Sequence, residues 1–406
     1  DRYISSNIEN INSYIFRFTK KTSNPLDFVG FSTQNFSGIY TGDAYVNSAN
    51  FTLKQEILPN NFSTVSNNLY FGESFCISDN GNYLFVSAPG NNSSISGSIY
   101  SYQRVGDYWT GGVSGLIPYP SGLSSSYRFG TSLTCSLDAS TVVVGAQSTL
   151  NSNGAFFIYK RNSESSPLYT YNTGIYGLYY GEKLLLNNSG NVLLVTKSKI
   201  SSIDIFNRSG LNLDKSQTWS MSSSLSPLNQ SITGFGIDLD LNYKGNFLVV
   251  GHPKDSTKAV DGGSAYLYSG YASGGSYYFN NVNILYGDGS DIQDSQYRSD
   301  LFGTTVATTD NNEIVCIGGP YDYRVTGADS RKLGAIWAFR NTGINFSGKW
   351  DLIKKLVSPS FDTEIGSNGL SISSNGGFIL AGSKYGPVLF SGNSVIGTPP
   401  PTPDWS

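Results

Sequence analysis

The residues that could do chemistry in this 406-residue chain are few. There is one histidine, His252, in the stretch Val250-Gly-His-Pro253. Similar stretches elsewhere carry Ala88, Ala146 or Gly319 at that place, so His252 reads as a positional variant in a loop rather than a general base. Cys76, Cys135 and Cys316 are an odd, sparse set with no metal-ligand spacing. They are expected as free thiols, with Cys76 and Cys135 on opposite faces of their strands. Asp288, Asp291 and Asp294 are weak metal candidates, and Asp238 and Asp240 alternate along one strand. There is no Gly-x-Ser-x-Gly elbow. No catalytic residue is assigned, and the chain is expected not to be an enzyme. The groups best suited to contact are Tyr321, Asp322, Tyr323 and Arg324, with Tyr297 and Arg298, because Tyr and Arg supply contact area and directed hydrogen bonds.

Composition narrows the partners. Net charge is −3 and charged residues are 14% of the chain, and no basic run exceeds Lys20-Lys21 or Lys354-Lys355. That excludes a nucleic-acid footprint. No apolar run approaches the ~18 residues of a spanning helix, so direct membrane insertion is not expected. The chain opens on Asp1 rather than Met, which reads as a processed product or a piece of something longer.

The elements that must position these groups are short strands. Phe71-Gly72 is followed by a turn at Ser78-Asp79-Asn80-Gly81, an apolar run Tyr83–Val86, a break at Ala88-Pro89 and a third strand Gly97-Ser-Ile-Tyr100. The opening returns at Phe129-Gly130, Tyr180-Gly181, Phe235-Gly236, Phe302-Gly303 and, one residue out of step, Ile365-Gly366. The third element returns as Gly154-Ala-Phe-Phe157, Ile203-Asp-Ile-Phe206, Gly263-Ser-Ala-Tyr266, Gly334-Ala-Ile-Trp337 and Gly386-Pro-Val-Leu389. A fourth strand is marked by Trp109, Tyr169, Trp219, Phe279 and Trp350.

Four strands recurring every ~50–65 residues predict an all-β fold, a β-propeller of four-stranded antiparallel blades. Residues 13–396 form it, with repeats opening near 13, 71, 129, 180, 235, 302 and 365. The count is seven blades, with six as the alternative. Residues 1–12 are an extension and 397–406 a Pro-rich tail or linker. An N-terminal strand, Tyr14–Lys20 or Phe51–Leu58, is expected to complete the last blade and close the ring.

The Phe-Gly…Val86-Ser-Ala-Pro89 and Phe302-Gly303…Ile317-Gly-Gly-Pro320 pattern resembles the FG-GAP repeat of the integrin α-subunit propeller, and FG-GAP-like surface proteins of bacteria, phages and large viruses. The resemblance implies calcium in a long Asp-rich loop between the first two strands. Here that loop is a tight turn, and calcium wants six to eight oxygens, so no cofactor is expected.

The turn between the first two strands is constant, while the loops at the other end vary. The longest runs are Gly287–Arg298 and Tyr321–Arg331. The expected function is a recognition or adhesion module, extracellular or on a cell or virion surface, binding a protein or glycan through the variable loops. A structural subunit assembling with copies of itself is the alternative, and a glycan-active enzyme the third. Asn-x-Ser/Thr sites at Asn35, Asn50, Asn61, Asn91, Asn92, Asn187, Asn207, Asn229 and Asn345 are glycosylation candidates.

Overall fold

The computed structural model describes residues 70–391 apart from 91–96, 115–116, 125, 149–150, 164–167, 210–217, 229–232, 288–299, 327–328, 344–347, 358–363, 375 and 385–387. Before residue 70 it describes Gln55, Ile57 and the backbone of five short strands. The chain divides into two compact units: residues 1–15, 53–225 and 272–278 form the first, and 16–52, 226–271 and 279–406 the second.

Apolar runs between Gly, Asn and Ser turns build six blade sheets. Blade I comprises Phe75–Ile77, Tyr83–Ala88, Ser98–Val105 and Tyr108–Ser114 as strands a to d. Blade II comprises Tyr127–Cys135, Thr141–Ser148, Asn153–Arg161 and Tyr169–Leu178. Blade III comprises Leu184–Leu186, Val192–Lys197, Ser202–Arg208 and Trp219–Leu225. These belong to the first unit. The second holds blade IV (Leu239–Leu241, Phe247–His252, Ser264–Ser273, Ser276–Leu285), apart from residues 272–278 at the tip of its last hairpin, and blade V (Thr305–Thr308, Ile314–Gly319, Ala335–Asn341, Trp350–Val357). It also holds blade VI, with Leu370–Ile372, Phe378–Ala381 and Val388–Ser391.

The blade count is therefore six, the alternative rather than the seven expected. Ser13–Phe18 forms a separate three-stranded sheet with Tyr3–Ser5 and Phe28–Gly30, not a further blade. Blade VI is completed by neither strand expected for that role. Ile39–Thr41 pairs parallel to Val388–Ser391, and Ala44–Val46 folds back on Ile39–Thr41. Most of Phe51–Leu58 lies outside the described residues. The extra residue of the last repeat falls between Gly366 and Leu370, ahead of strand a, so the strands themselves keep their register.

The constant turns are held by one repeated bond. At the end of each strand a, a side-chain oxygen accepts the N–H that opens strand b: Ser78 from Tyr83, Ser136 from Thr141, Asn187 from Val192, Asn242 from Phe247, Thr309 from Ile314 and Ser373 from Phe378, at 3.0 to 3.1 Å. Ser, Thr and Asn recur here because a short polar side chain can satisfy a buried backbone donor.

The Gly that opens strand c has a different cause. A Cβ on Gly97 would lie 1.9 Å from the Phe129 carbonyl oxygen, and one on Gly154 1.8 Å from that of Tyr180. The next blade's Phe-Gly backbone passes directly over it, so only Gly fits. Neighbouring blades are also pegged by side chains. Asp238 Oδ2 accepts the Val306 N–H and Asp240 Oδ2 the Thr308 N–H, both at 2.9 Å. That accounts for the two-residue spacing of these carboxylates without a metal.

The core lies between sheets. Phe85, Phe129, Val144, Phe157 and Tyr159 pack together in the first unit, and Phe247, Phe302, Ile317 and Trp337 in the second. Among the described residues, no helix is long and apolar enough to cross a membrane.

Candidate functional site

The run read from sequence as a loop, Tyr321–Arg331, is in fact a ribbon. Tyr323–Thr326 pairs antiparallel with Asp329–Lys332, Tyr323 facing Lys332 and Arg324 facing Arg331. Asp322 stands at its base. The Asp322 carbonyl accepts the N–H groups of Leu333 and Gly334 at 3.0 and 3.2 Å, where the ribbon returns to strand c of blade V. The Asp322 side chain is buried and accepts Lys355 Nζ at 2.8 Å. Lys355 in turn lies 4.8 Å from the centroid of the Trp337 ring. Of the residues expected to make contact, then, Asp322 is an anchor inside the blade, while Tyr321 is half-buried beside it. The structure places the backbone of Tyr323 and Arg324 on the ribbon. Tyr297, Arg298, Asp288, Asp291 and Asp294 lie outside the described residues.

A second polar group was not anticipated from sequence. In blade III Asp204 is 1% exposed within an apolar strand. Its Oδ2 accepts the Tyr180 hydroxyl and Lys197 Nζ, each at 2.7 Å, and its Oδ1 accepts the Ser224 hydroxyl at 2.6 Å. Burial, reinforced by the hydrogen bond to Asp204 and its charge, pushes the Tyr180 phenol above its ordinary value, so it stays a donor. Beside it, Glu182 accepts the Ser198 N–H at 3.0 Å and its hydroxyl at 2.7 Å. The signal in the sequence was Asp204 between Ile203 and Ile205, with Lys197 where other repeats hold Ala88, Ala146, His252 or Gly319.

The remaining candidates divide plainly. His252 is not in a loop as expected: it ends strand b of blade IV, paired with Ser264 and fully buried, its ring 5.9 Å from Phe235 and 6.2 Å from Tyr266. The three cysteines are free, with Cys76 and Cys316 buried. Asn187 spends its amide on Asn191 Oδ1 at 2.8 Å. Asn207 donates to the Ser222 hydroxyl at 2.6 Å and accepts the Tyr277 N–H at 2.9 Å. Both asparagines are buried, so in this structure their amide nitrogens serve packing. The other Asn-x-Ser/Thr sites lie outside the described residues.

No family model matches the sequence, and no curated protein matches it. Solved structures do. One is a proposed 6-phosphogluconolactonase from Bacteroides fragilis, with TM-score 0.54 and 13% identity, covering 96% of this chain and 90% of that one. Another, so named from Bacteroides uniformis, has TM-score 0.50 and 11% identity, covering 80% and 82%. The fold is a β-propeller. At such identities the likeness speaks for fold alone, and neither FG-GAP nor integrin kinship follows from it. It does correct one expectation. The chain was read as not an enzyme, yet two of the propellers it matches carry enzyme names, so the missing sequence motifs are no ground for excluding catalysis.

Proposed function

We propose that this propeller is a recognition module that binds a protein or glycan through the variable loop end of its blades. The observation that carries the reading is the blade V ribbon. Tyr323–Thr326 and Asp329–Lys332 stand on a base where Asp322 pairs with Lys355, which lies over Trp337. A paired ribbon carrying Tyr323, Arg324 and Arg331 loses less entropy on binding than an open loop. The reading takes the Phe-Gly repeat as FG-GAP-like, places the chain outside a cell or on a cell or virion surface, and calls on no cofactor. Its test is binding of the purified chain to a glycan array and to intact cells, beside a variant with Tyr323 and Arg324 replaced by Gly and Ser, which leaves the Asp322 anchor intact. Binding by the parent that the variant loses, at an unchanged melting temperature, supports it. Equal binding by both, or none by the parent, overturns it.

A second reading, hydrolysis of a phosphorylated sugar lactone, rests on the names of the two matched propellers. Assay of the chain with 6-phosphogluconolactone decides it, and absence of turnover removes it.

A further inference from the structure

Strand d of blade II, Tyr169–Leu178, is the outermost strand of its sheet and carries an unusual surface. Tyr171 and Tyr176 are 46% and 59% exposed. Both rings rest on the fully buried Phe157, Tyr171 at 6.4 Å and Tyr176 at 5.8 Å between centroids. Tyr127 continues the row, meeting Tyr176 edge-on at 6.3 Å and 87°. Gly174 makes the arrangement possible, since a Cβ there would lie 2.8 Å from the Phe157 ring and 2.9 Å from the Tyr171 hydroxyl. Asn172 is the extra residue of a bulge opposite Ile158 and Tyr159, which re-aims the strand between the two tyrosines. Strand d contains no charged residue.

Exposed, uncharged tyrosines gathered on a shared buried ring offer the aromatic contacts that polyproline helices dock on. Such a helix repeats every three residues, ~9 Å, and presents the prolines of a Pro-x-x-Pro pair to one side. This chain carries one such segment. Thr398-Pro-Pro-Pro-Thr-Pro403 sets Pro400 and Pro403 three apart, within the last fifteen residues, which lie outside the described part. Proline favours φ near the polyproline value, the general reason such sequences suit this kind of contact.

We infer that the Tyr171–Tyr176 surface of blade II binds the Pro400–Pro403 segment of a second copy of this chain. The inference is independent of the ribbon reading. It joins two features that otherwise have no use: two large aromatic side chains left half in water, and a proline run at the far end of the sequence.

The test is fluorescence anisotropy of a labelled peptide spanning residues 396–406, titrated with the full chain. Saturable binding is expected, weakened about tenfold or more by Tyr171→Ser with Tyr176→Ser in the protein. The same loss is expected from Pro400→Ala with Pro403→Ala in the peptide. Should the protein variant melt below the parent, the peptide variant, which leaves the protein untouched, carries the test. No peptide binding overturns the inference, as does binding indifferent to either pair of changes. Binding of neutral oligosaccharides to the tyrosines in the peptide's absence, with no peptide binding, also overturns it and reassigns the surface to sugars.

Discussion

The Tyr180 hydroxyl donates to Asp204 Oδ2 at 2.7 Å at the place where other blades join two aromatic rings. Phe71 meets Tyr100 at 5.3 Å, Phe129 meets Phe157 at 5.9 Å, Phe235 meets Tyr266 at 5.3 Å and Phe302 meets Trp337 at 5.2 Å. Blade III has thus exchanged the repeat's apolar staple for a buried phenol, carboxylate and ammonium.

Removing one member of that group should hurt more than removing all of it. Asp204→Ala strands Lys197 and the Tyr180 hydroxyl with no acceptor, and should cost about 3–5 kcal/mol. Converting the blade to the pattern of blade II, with Tyr180→Phe, Lys197→Ala and Asp204→Phe together, should be neutral or stabilising by about 1–4 kcal/mol. Urea unfolding of the two variants checks this. A triple variant less stable than Asp204→Ala would show that the polar group is part of the fold's own packing.

Glycines should differ sharply in what they tolerate. Gly154→Ala forces a methyl into the Tyr180 carbonyl and should fall in the range above about 4 kcal/mol or fail to fold. Gly106, in a turn with φ +60° and open space around it, should lose only about 1–2 kcal/mol as Ala. Expression and thermal melting of the pair separate close approach from backbone conformation.

Alkali should unfold the chain early. Burial, the largest cause for each, raises the phenols of Tyr102, Tyr159, Tyr169, Tyr180 and Tyr268 above the ordinary value of 10.0, and pushes Tyr266 up to about 12. These groups keep their protons longer when folded than when unfolded. The stability they confer is complete below about pH 10 and is lost as pH climbs past it. Urea midpoints between about pH 8 and pH 11 should fall, together with the appearance of phenolate absorbance. A flat profile would mean that the phenols are hydrated.

The base of the ribbon should govern its opening. Asp322→Ala removes the acceptor for Lys355 Nζ, and trypsin should then cut faster after Arg324, Arg331 or Lys332 than in the parent. Equal cutting rates would place the ribbon's order in its own pairing instead.

Much of the fold was legible because the repeat's glycines and its turn oxygens answer local demands, so Phe71-Gly72 and Gly97 announce themselves. The third strand of blade III was harder. Aligning Phe206 with the other aromatics is natural, but Lys197 pairs with Ser202 as Ala88 does with Ser98, which shifts the register by two and puts Asp204 at the aromatic position. Gly42–Val46 reads as a strand in the sequence, but the closing role of its hairpin left no trace, since Ile39–Thr41 carries no repeat signature and its pairing spans nearly the whole chain. Of the candidate site, the blade V insertion was visible as length and composition. Its ribbon pairing and the inward turn of Asp322 depend on Lys355, which is distant in sequence, and could not be read from either segment alone.

The pairing of Ile39–Thr41 with Val388–Ser391 also sets an order of events during synthesis. The N-terminal partner leaves the ribosome first and has nothing to pair with until the last blade follows it. At ~5–20 residues per second that delay is on the order of a minute or less, during which blades I to V can fold in turn. The final sheet is therefore a clasp that registers completion. A chain stopped short of Val388 would keep its early blades and leave the hairpin at 39–46 unclaimed.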